Sequence, residues 1–413
     1  MDPSTPTPRP QIDALEAGGF ILRLARAMHN YGYAAHHLEE VLADVAERLG
    51  LKAQFFSTPT SIMAAFGELE TQHTHLIRVE PGEVDLGKLT DVSEVVEDVV
   101  HGRLSPSIGS NRIDAIVAAP PPYGMPSTVL AFGLASAAAA RFLGGGLREI
   151  LVSGGIGLTL GLLGLLGSRW PSLGRVYVPV AAFLAASLAA AMALVIPQYS
   201  VYVGTLAGLI VLIPGLTVTT AMTELSTGHL VSGTARLAGA LILFLVIGFG
   251  VAMGGEVVRI LFGQYSSLVH PLALPEWTSW AALVVAPLAF TVLFRAHARD
   301  AGWILVAGAL GILGSRLGGA KLGPELGAFI GALTVGVASN LYAWFLRRPS
   351  SVTLVPGTLL LVPGSIGFRS LSSLLDREVV TGVETAFTMV LIAAGLVAGL
   401  LLANVVTPLR RPR

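Results

Sequence analysis

From residue 126 to residue 405 the chain is a succession of apolar runs parted by short polar breaks. Residues 11–120 instead alternate apolar and polar positions over short stretches. Ten apolar runs can be delimited, at about 126–143, 147–167, 176–196, 202–214 and 231–253, then 277–294, 302–314, 325–345, 352–363 and 379–404. A helix needs about 20 residues to cross the hydrocarbon core of a bilayer. The fourth and ninth runs fall short of that, and each is cut by a Pro-Gly pair, Pro214-Gly215 and Pro363-Gly364. Proline removes an intrahelical hydrogen bond and glycine weakens the next turn. In lipid the freed backbone groups must find partners inside protein or beside a wet cavity.

The two breaks are copies of one unit. Gly208 to Gly215 reappears as Gly357 to Gly364, a shift of 149 residues. Gly161, Gly164 and Gly167, followed by Ser168-Arg169, reappear as Gly308, Gly311 and Gly314, followed by Ser315-Arg316, a shift of 147. A duplicated hydrophobic unit with a broken helix in each copy points to a secondary transporter. Five runs per copy, an odd number, would turn the second copy upside down and leave both chain ends on one side. The expected fold is therefore a polytopic α-helical membrane protein of about ten transmembrane helices. It forms an inverted 5+5 repeat with broken helices (126–253 and 277–405), preceded by a small α+β soluble domain (11–120).

In the front domain, Leu38, Leu42, Val45, Ala46 and Leu49 keep helical spacing up to Gly50, and an earlier helix is expected over about 13–29. Asn30-Tyr31-Gly32 separates them. Residues 53–57, 61–66 and 74–79 read as strands, and 86–101 as another amphipathic helix.

Composition sharpens this picture. Only 13% of residues are charged, against about 25% in soluble proteins, so most of the chain belongs in lipid. Lysine plus arginine balances aspartate plus glutamate at 26 each, which gives no basic surface for nucleic acid. Cysteine is absent, which excludes disulfides and thiolate chemistry. Residues 1–10, rich in proline and threonine, are expected to be a disordered tail and lack a signal-peptide pattern. The front domain and the arginine-rich end (Arg410, Arg411, Arg413) are expected in the cytoplasm. The loop arginines do not decide the orientation. No GxxxxGK[ST] motif occurs, so transport would run on an ion gradient or passively, without a cofactor. His36, His37, Glu40, His73 and His75 read as solvated polar faces rather than metal ligands. No HExxH, GxSxG or paired acid motif marks an enzyme.

Candidate transport residues cluster at the breaks. Exposed helix ends at Pro214-Gly215 and Pro363-Gly364 would offer N–H groups to a carboxylate and carbonyls to an ammonium. Thr217, Thr219, Thr220 and Ser365 would add hydroxyls. Glu224 is the leading proton-coupling candidate, since a partly desolvated carboxylate can take up a proton. Arg236 and Glu384 lie just inside the fifth and tenth runs. They either pair across the pseudo-two-fold axis or snorkel to the headgroups. Arg369 supplies a base after the second break, so the site would draw its acid from the first copy and its base from the second. Asn340 either lines the cavity or bonds between helices, the latter preferred. The glycine stripes read as close helix packing.

Several of these residues resemble one family. Gly32-Tyr33-Ala34 followed by Glu39 or Glu40, Leu49-Gly50, Thr58-Pro59-Thr60 and Ile77-Arg78-Val79 are similar to the N-terminal part of the threonine/serine exporter (ThrE-type) family. So is the series Pro214-Gly215, Ala221, Glu224-Leu225, Gly228, Ser232-Gly233 and Arg236. Leu361 to Ser365, with Gly367-Phe368-Arg369 and Gly382, looks like that family's smaller partner domain. The resemblance implies a fused two-part exporter in a bacterial cytoplasmic membrane, moving threonine and serine outward on the proton-motive force. A homo-oligomer is compatible with it. Split relatives suggest dicarboxylate export as the alternative. A membrane-embedded hydrolase, with Ser153 or the front domain as its site, is a weaker one. Two departures stand out: Glu224 where the family often has aspartate, and His36-His37 where it usually shows arginine or tyrosine.

Overall fold

The structure is a computed structural model that describes residues 14–80, 82–264 and 271–408. The expected tail 1–10 and the terminal Arg410, Arg411 and Arg413 lie outside the described residues. The chain divides into two compact units, one ending at Pro120 and one beginning at Pro121.

The first unit is α+β. Helices α1 (Ala14–Asn30) and α2 (Ala35–Arg48) are followed by strands β1 (Ala53–Thr58), β2 (Ser61–Phe66) and β3 (His73–Arg78). Helices α3 (Leu86–Val100) and α4 (Pro106–Ala118) complete it. The strands form an antiparallel meander in the order β1-β2-β3, with Phe56, Met63 and Leu76 directly opposite one another. Period-two alternation puts Ile62 and Ala64 inside while Met63 points outward. On α1, Phe20, Leu24, Ala27 and Met28 recur at helical spacing and form the buried stripe. The break between α1 and α2 needs its glycine. Gly32 has φ +86°, and a Cβ there would sit 2.9 Å from Val84 Cγ2. Burial, then the charge of Glu40, pushes the neighbouring Tyr33 hydroxyl up to about 12, so it stays neutral at physiological pH.

Helix α4 was not expected from the pattern. Gly109-Ser110-Asn111 in its interior are weak helix formers. Ser105 caps it and packing secures it: a Cβ on Gly109 would lie 2.5 Å from Val99 Cγ2.

The second unit is all helix. Its first half holds α5 (Met125–Phe142), α6 (Leu147–Arg169), the short α7 (Pro171–Arg175), α8 (Tyr177–Val195), α9 (Val201–Gly208), α10 (Gly215–Ser226) and α11 (Leu230–Phe262). Its second half holds α12 (Trp277–Leu293), a 3-10 turn (Ala298–Asp300), α13 (Ala301–Leu322), α14 (Pro324–Leu346), α15 (Ser351–Leu359), α16 (Gly364–Leu375) and α17 (Val379–Val406). Among the described residues, seven helical stretches are long and apolar enough to cross a membrane, counting α15 with α16 as one. The other three expected runs differ for visible reasons. Arg141 and short side chains dilute the hydropathy of α5, α12 is only 17 residues long, and α9 and α10 are separate short helices. Large apolar side chains such as Ile242, Leu245 and Phe249 of α11 and Val383 and Phe387 of α17 face outward, as lipid contact requires. The chain is a multi-pass membrane protein.

Small residues let the helices meet closely. Helix α8 lies along α11, where a Cβ on Gly254 would be 2.3 Å from the Phe183 carbonyl. Helix α14 lies along α17, where a Cβ on Gly399 would be 2.3 Å from the Phe329 carbonyl. Gly254 and Gly399 mark the same partnership in each half. The glycine stripes serve packing too. Gly161 abuts Val129 and Phe132 of α5, while Gly311 and Gly314 abut Val335, Gly331 and Thr334 of α14.

Candidate functional site

Each Pro-Gly pair begins a short helix a few residues after another has ended: α9 stops at Gly208 and α15 at Leu359, and a turn leads from each to the proline. Pro214 takes φ −77°, ψ 41° and Pro363 takes φ −79°, ψ 27°, and each caps the helix that starts at its glycine. The Val218 N–H donates to the Pro214 carbonyl at 3.0 Å, and the Gly367 N–H to the Pro363 carbonyl at 3.0 Å. One local sequence has produced one local geometry twice.

The two breaks meet. A Cβ built on Gly215 would lie 2.3 Å from Val362 Cγ1 and 3.2 Å from Gly364 Cα. A Cβ built on Gly364 would lie 2.8 Å from Ile213 Cγ2 and 3.3 Å from Gly215 Cα. Ile213 and Val362 are counterparts under the 149-residue shift, as are the two glycines. Helix α10 touches α17 and α16 touches α11, so the contacts around the crossing also recur in exchanged form. Gly233 packs on Leu225 and its counterpart Gly382 on Leu374. The first turns of α10 and α16 thus start back to back with the positive end of their dipoles at one place, the Gly215 N–H itself donating to the Ile213 carbonyl at 2.8 Å.

The hydroxyls divide by role. Thr219 is buried and donates back to the Gly215 carbonyl at 3.2 Å, so its hydroxyl is spent within α10. Thr217, Thr220 and Ser365 are partly exposed. Asn340 takes the interhelical role. Its amide donates to Asn404 Oδ1 at 3.0 Å and to the Thr407 carbonyl at 2.7 Å, tying α14 to the end of α17. Asn340→Ala would leave those acceptors unpaired, at a cost of about 1–3 kcal/mol. The expected result is a lower unfolding temperature in detergent with substrate affinity unchanged.

Glu224 is fully buried near the end of α10. Its Oε1 accepts from Arg236 Nε at 3.1 Å and its Oε2 from Ser232 Oγ at 2.9 Å. Ser232 and Arg236 stand four residues apart on one face of α11. Of the two readings open for Arg236 and Glu384, the pairing is not the one seen: Arg236 holds Glu224, and Glu384 is exposed on α17. The reason is geometric. Helices α10 and α11 form a tight hairpin, so a base two turns into α11 reaches the acid at the end of α10. Both members of the buried pair belong to the first copy, while Arg369 is exposed on α16.

One buried carboxylate here was not anticipated. Glu149 in the first turn of α6 is 1% exposed and accepts the Gly146 N–H at 2.9 Å and the Ser200 N–H at 2.8 Å. It thereby anchors the start of α9. Its position three residues after the helix start was the available signal.

Comparison with known proteins places these features in a family. A profile described as "Putative threonine/serine exporter" matches residues 19–258, and one described as "Threonine/Serine exporter, ThrE" matches residues 279–406. Among curated proteins, the chain is 27% identical over 368 residues to pheromone-regulated membrane protein 10 of Eremothecium gossypii, covering 87% of this chain and 49% of that one. It is 28% identical over 391 residues to the protein of the same name from Saccharomyces cerevisiae, covering 92% and 49%. For the Candida albicans protein of that name the figures are 27% over 397 residues, covering 91% and 34%. The chain spans about a third to a half of the length of these relatives. No solved structure matches it. With one profile on each half, and the breaks, Glu224 and Arg236 placed as described, the chain belongs to the threonine/serine exporter family.

Proposed function

We propose that the chain is a secondary active exporter of small hydroxy amino acids, threonine and serine, energised by protons. The observation that carries it is the meeting of two broken helices at Gly215 and Gly364. Broken helices at matching places in two repeats form the binding sites of many secondary transporters. In this reading the second unit is an inverted 5+5 repeat of ten crossings, with α9–α10 and α15–α16 as the discontinuous pair. The recurrent contacts of α10 with α17 and α16 with α11 support it. The substrate carboxylate lies against the N–H groups that open α10 or α16. Its hydroxyl meets Thr217, Thr220 or Ser365. Glu224 and Arg236 gate the approach from the α10–α11 hairpin. Both termini face the cytoplasm. The relatives named above are fungal, so a bacterial cytoplasmic membrane rests on the family resemblance alone.

Purified protein in liposomes loaded with labelled threonine should release it when an inward proton gradient is imposed. Release that ignores the gradient would exclude proton coupling, and retention under every gradient would exclude threonine export.

Dicarboxylate export is the second reading, and one observation favours it. Two positive helix ends meet at the crossing, which suits two carboxylates. Competition separates them: succinate displaces threonine from a dicarboxylate exporter and leaves an amino acid exporter unaffected.

A further inference from the structure

A third buried carboxylate lies in the other half of the membrane unit. Asp300, at the end of the 3-10 turn that leads into α13, is fully buried. Its Oδ1 accepts from the Tyr342 hydroxyl at 3.0 Å and from the Arg348 guanidinium. Its Oδ2 is buried and has no hydrogen-bond partner among the described residues. Glu224 differs on this point, because a donor reaches each of its oxygens. A buried oxygen without a donor costs about 1–3 kcal/mol, more when the group is charged. A proton on Oδ2 removes the charge and turns that oxygen into a donor. Two further buried hydroxyl oxygens without partners among the described residues, Ser339 Oγ on α14 and Ser351 Oγ on α15, belong to the helices that pack on α13.

Position makes the charge of Asp300 consequential. Arg348 sits in the linker between α14 and α15, three residues before α15 begins, and α15 leads directly into the Pro363-Gly364 break. The ionised carboxylate therefore latches the start of a broken helix. Tyr342 from α14 also touches it, and Tyr123, just before α5, feels its field. Burial, then the Asp300 charge, raises the Tyr123 pKa. The other charged or titratable groups beside Asp300 and Arg348 along the chain are Arg295 and His297 before the turn, Arg299 within it and Arg347 in the linker. Arg295, His297 and Arg299 hold contacts of their own.

We propose that Asp300 is a proton-carrying carboxylate of this transporter, whose protonation releases Arg348 and frees α15 to move. The proposal rests on the exporter reading above. A proton from water forms an O–H bond at Oδ2. Arg348 keeps its own proton and loses its counter-charge. Release of the proton to water restores the pair, so charge and atoms balance over a cycle.

The test uses the full chain in liposomes with two assays. Exchange of labelled for unlabelled threonine needs substrate movement but no net proton transfer, whereas gradient-driven export needs both. Asp300→Asn should keep exchange within about twofold and lose driven export at least tenfold, together with its pH dependence. Asp300→Glu, which still titrates, should recover much of the driven export. Driven export that survives in Asp300→Asn with its pH dependence would overturn the proposal. So would loss of both fluxes in Asp300→Asn without recovery in Asp300→Glu. If the wild-type chain performs neither exchange nor driven export, the exporter reading itself fails, an outcome distinct from either variant result.

Discussion

Gly215→Ala should abolish transport while the protein still inserts in the membrane. The added methyl would lie 2.3 Å from Val362 Cγ1 and 3.2 Å from Gly364 Cα. The first conflict is with a short, stiff side chain and the second with backbone, so neither yields easily. Overpacking of this kind costs about 1–3 kcal/mol. Here the strain falls on the contact between the two broken helices, so the conformation that needs them in register is lost first. Flux should drop at least tenfold, measured as threonine release from liposomes. Gly364→Ala should be milder, because its closest conflict is 2.8 Å, with Ile213. Adding Val362→Ala to Gly215→Ala removes the nearer clash but not the backbone one, so it should restore flux only in part. Equal, near-normal flux in both single variants would mean that the crossing is not tight in the working protein.

Arg236→Ala should be the most destabilising single change in the membrane unit. It leaves the buried carboxylate of Glu224 without the guanidinium, while Ser232 still donates to it, and breaking a buried pair from one side costs about 3–5 kcal/mol. Arg236 is itself only 17% exposed, so its own side chain is not held by water. Expression and unfolding temperature should fall together with flux. Glu224→Gln should cost less, because the amide still accepts from Ser232 or Arg236 through its carbonyl. The double variant Glu224→Gln/Arg236→Gln should be more stable than Arg236→Ala, since no uncompensated charge remains. A double-mutant cycle with additive effects would show that the two residues do not act as a pair.

The helices, the strands and the two breaks were legible because each depends on a local signal. Apolar runs of membrane length, Gly32 between α1 and α2, and the repeated Pro-Gly pairs all act within a few residues of themselves. Expected and observed bounds agree to within a few residues for α1, α2, β1, β2 and β3. The partners of charged residues were not legible. A pairing of Arg236 with Glu384 is one of two open readings in the sequence because a repeat suggests symmetry, yet the α10–α11 hairpin delivers Arg236 to Glu224. The counterparts of Glu224, Ser232 and Arg236 under the 149-residue shift are Ser373, Thr381 and Thr385, which carry no charge. The repeat is therefore kept in backbone and packing but not in chemistry.

Glu149 and Asp300 escaped notice for a related reason. Each sits where an apolar run begins, a position at which a charged side chain ordinarily faces water. Folding brings the linker before the broken helix over each of them, Ser200 over Glu149 and Arg348 over Asp300. Burial of that kind is set by which helices meet, and a hydropathy pattern does not contain it.

The crossing can be tested covalently, because the chain contains no cysteine. In the variant Ile213→Cys/Gly364→Cys the sulfur at position 213 takes the place of an Ile213 γ-carbon, and the new Cβ at position 364 stands where a Cβ would lie 2.8 Å from Ile213 Cγ2. Disulfides form only between closely placed Cβ atoms. A protease site inserted between α11 and α12 makes the bond visible, since the cleaved halves then stay together only while it is intact. Oxidation should join the halves and stop threonine flux, and a reductant should restore both. Halves that separate under oxidising conditions, or a cross-linked protein that transports at the wild-type rate, would contradict a working crossing at Gly215 and Gly364.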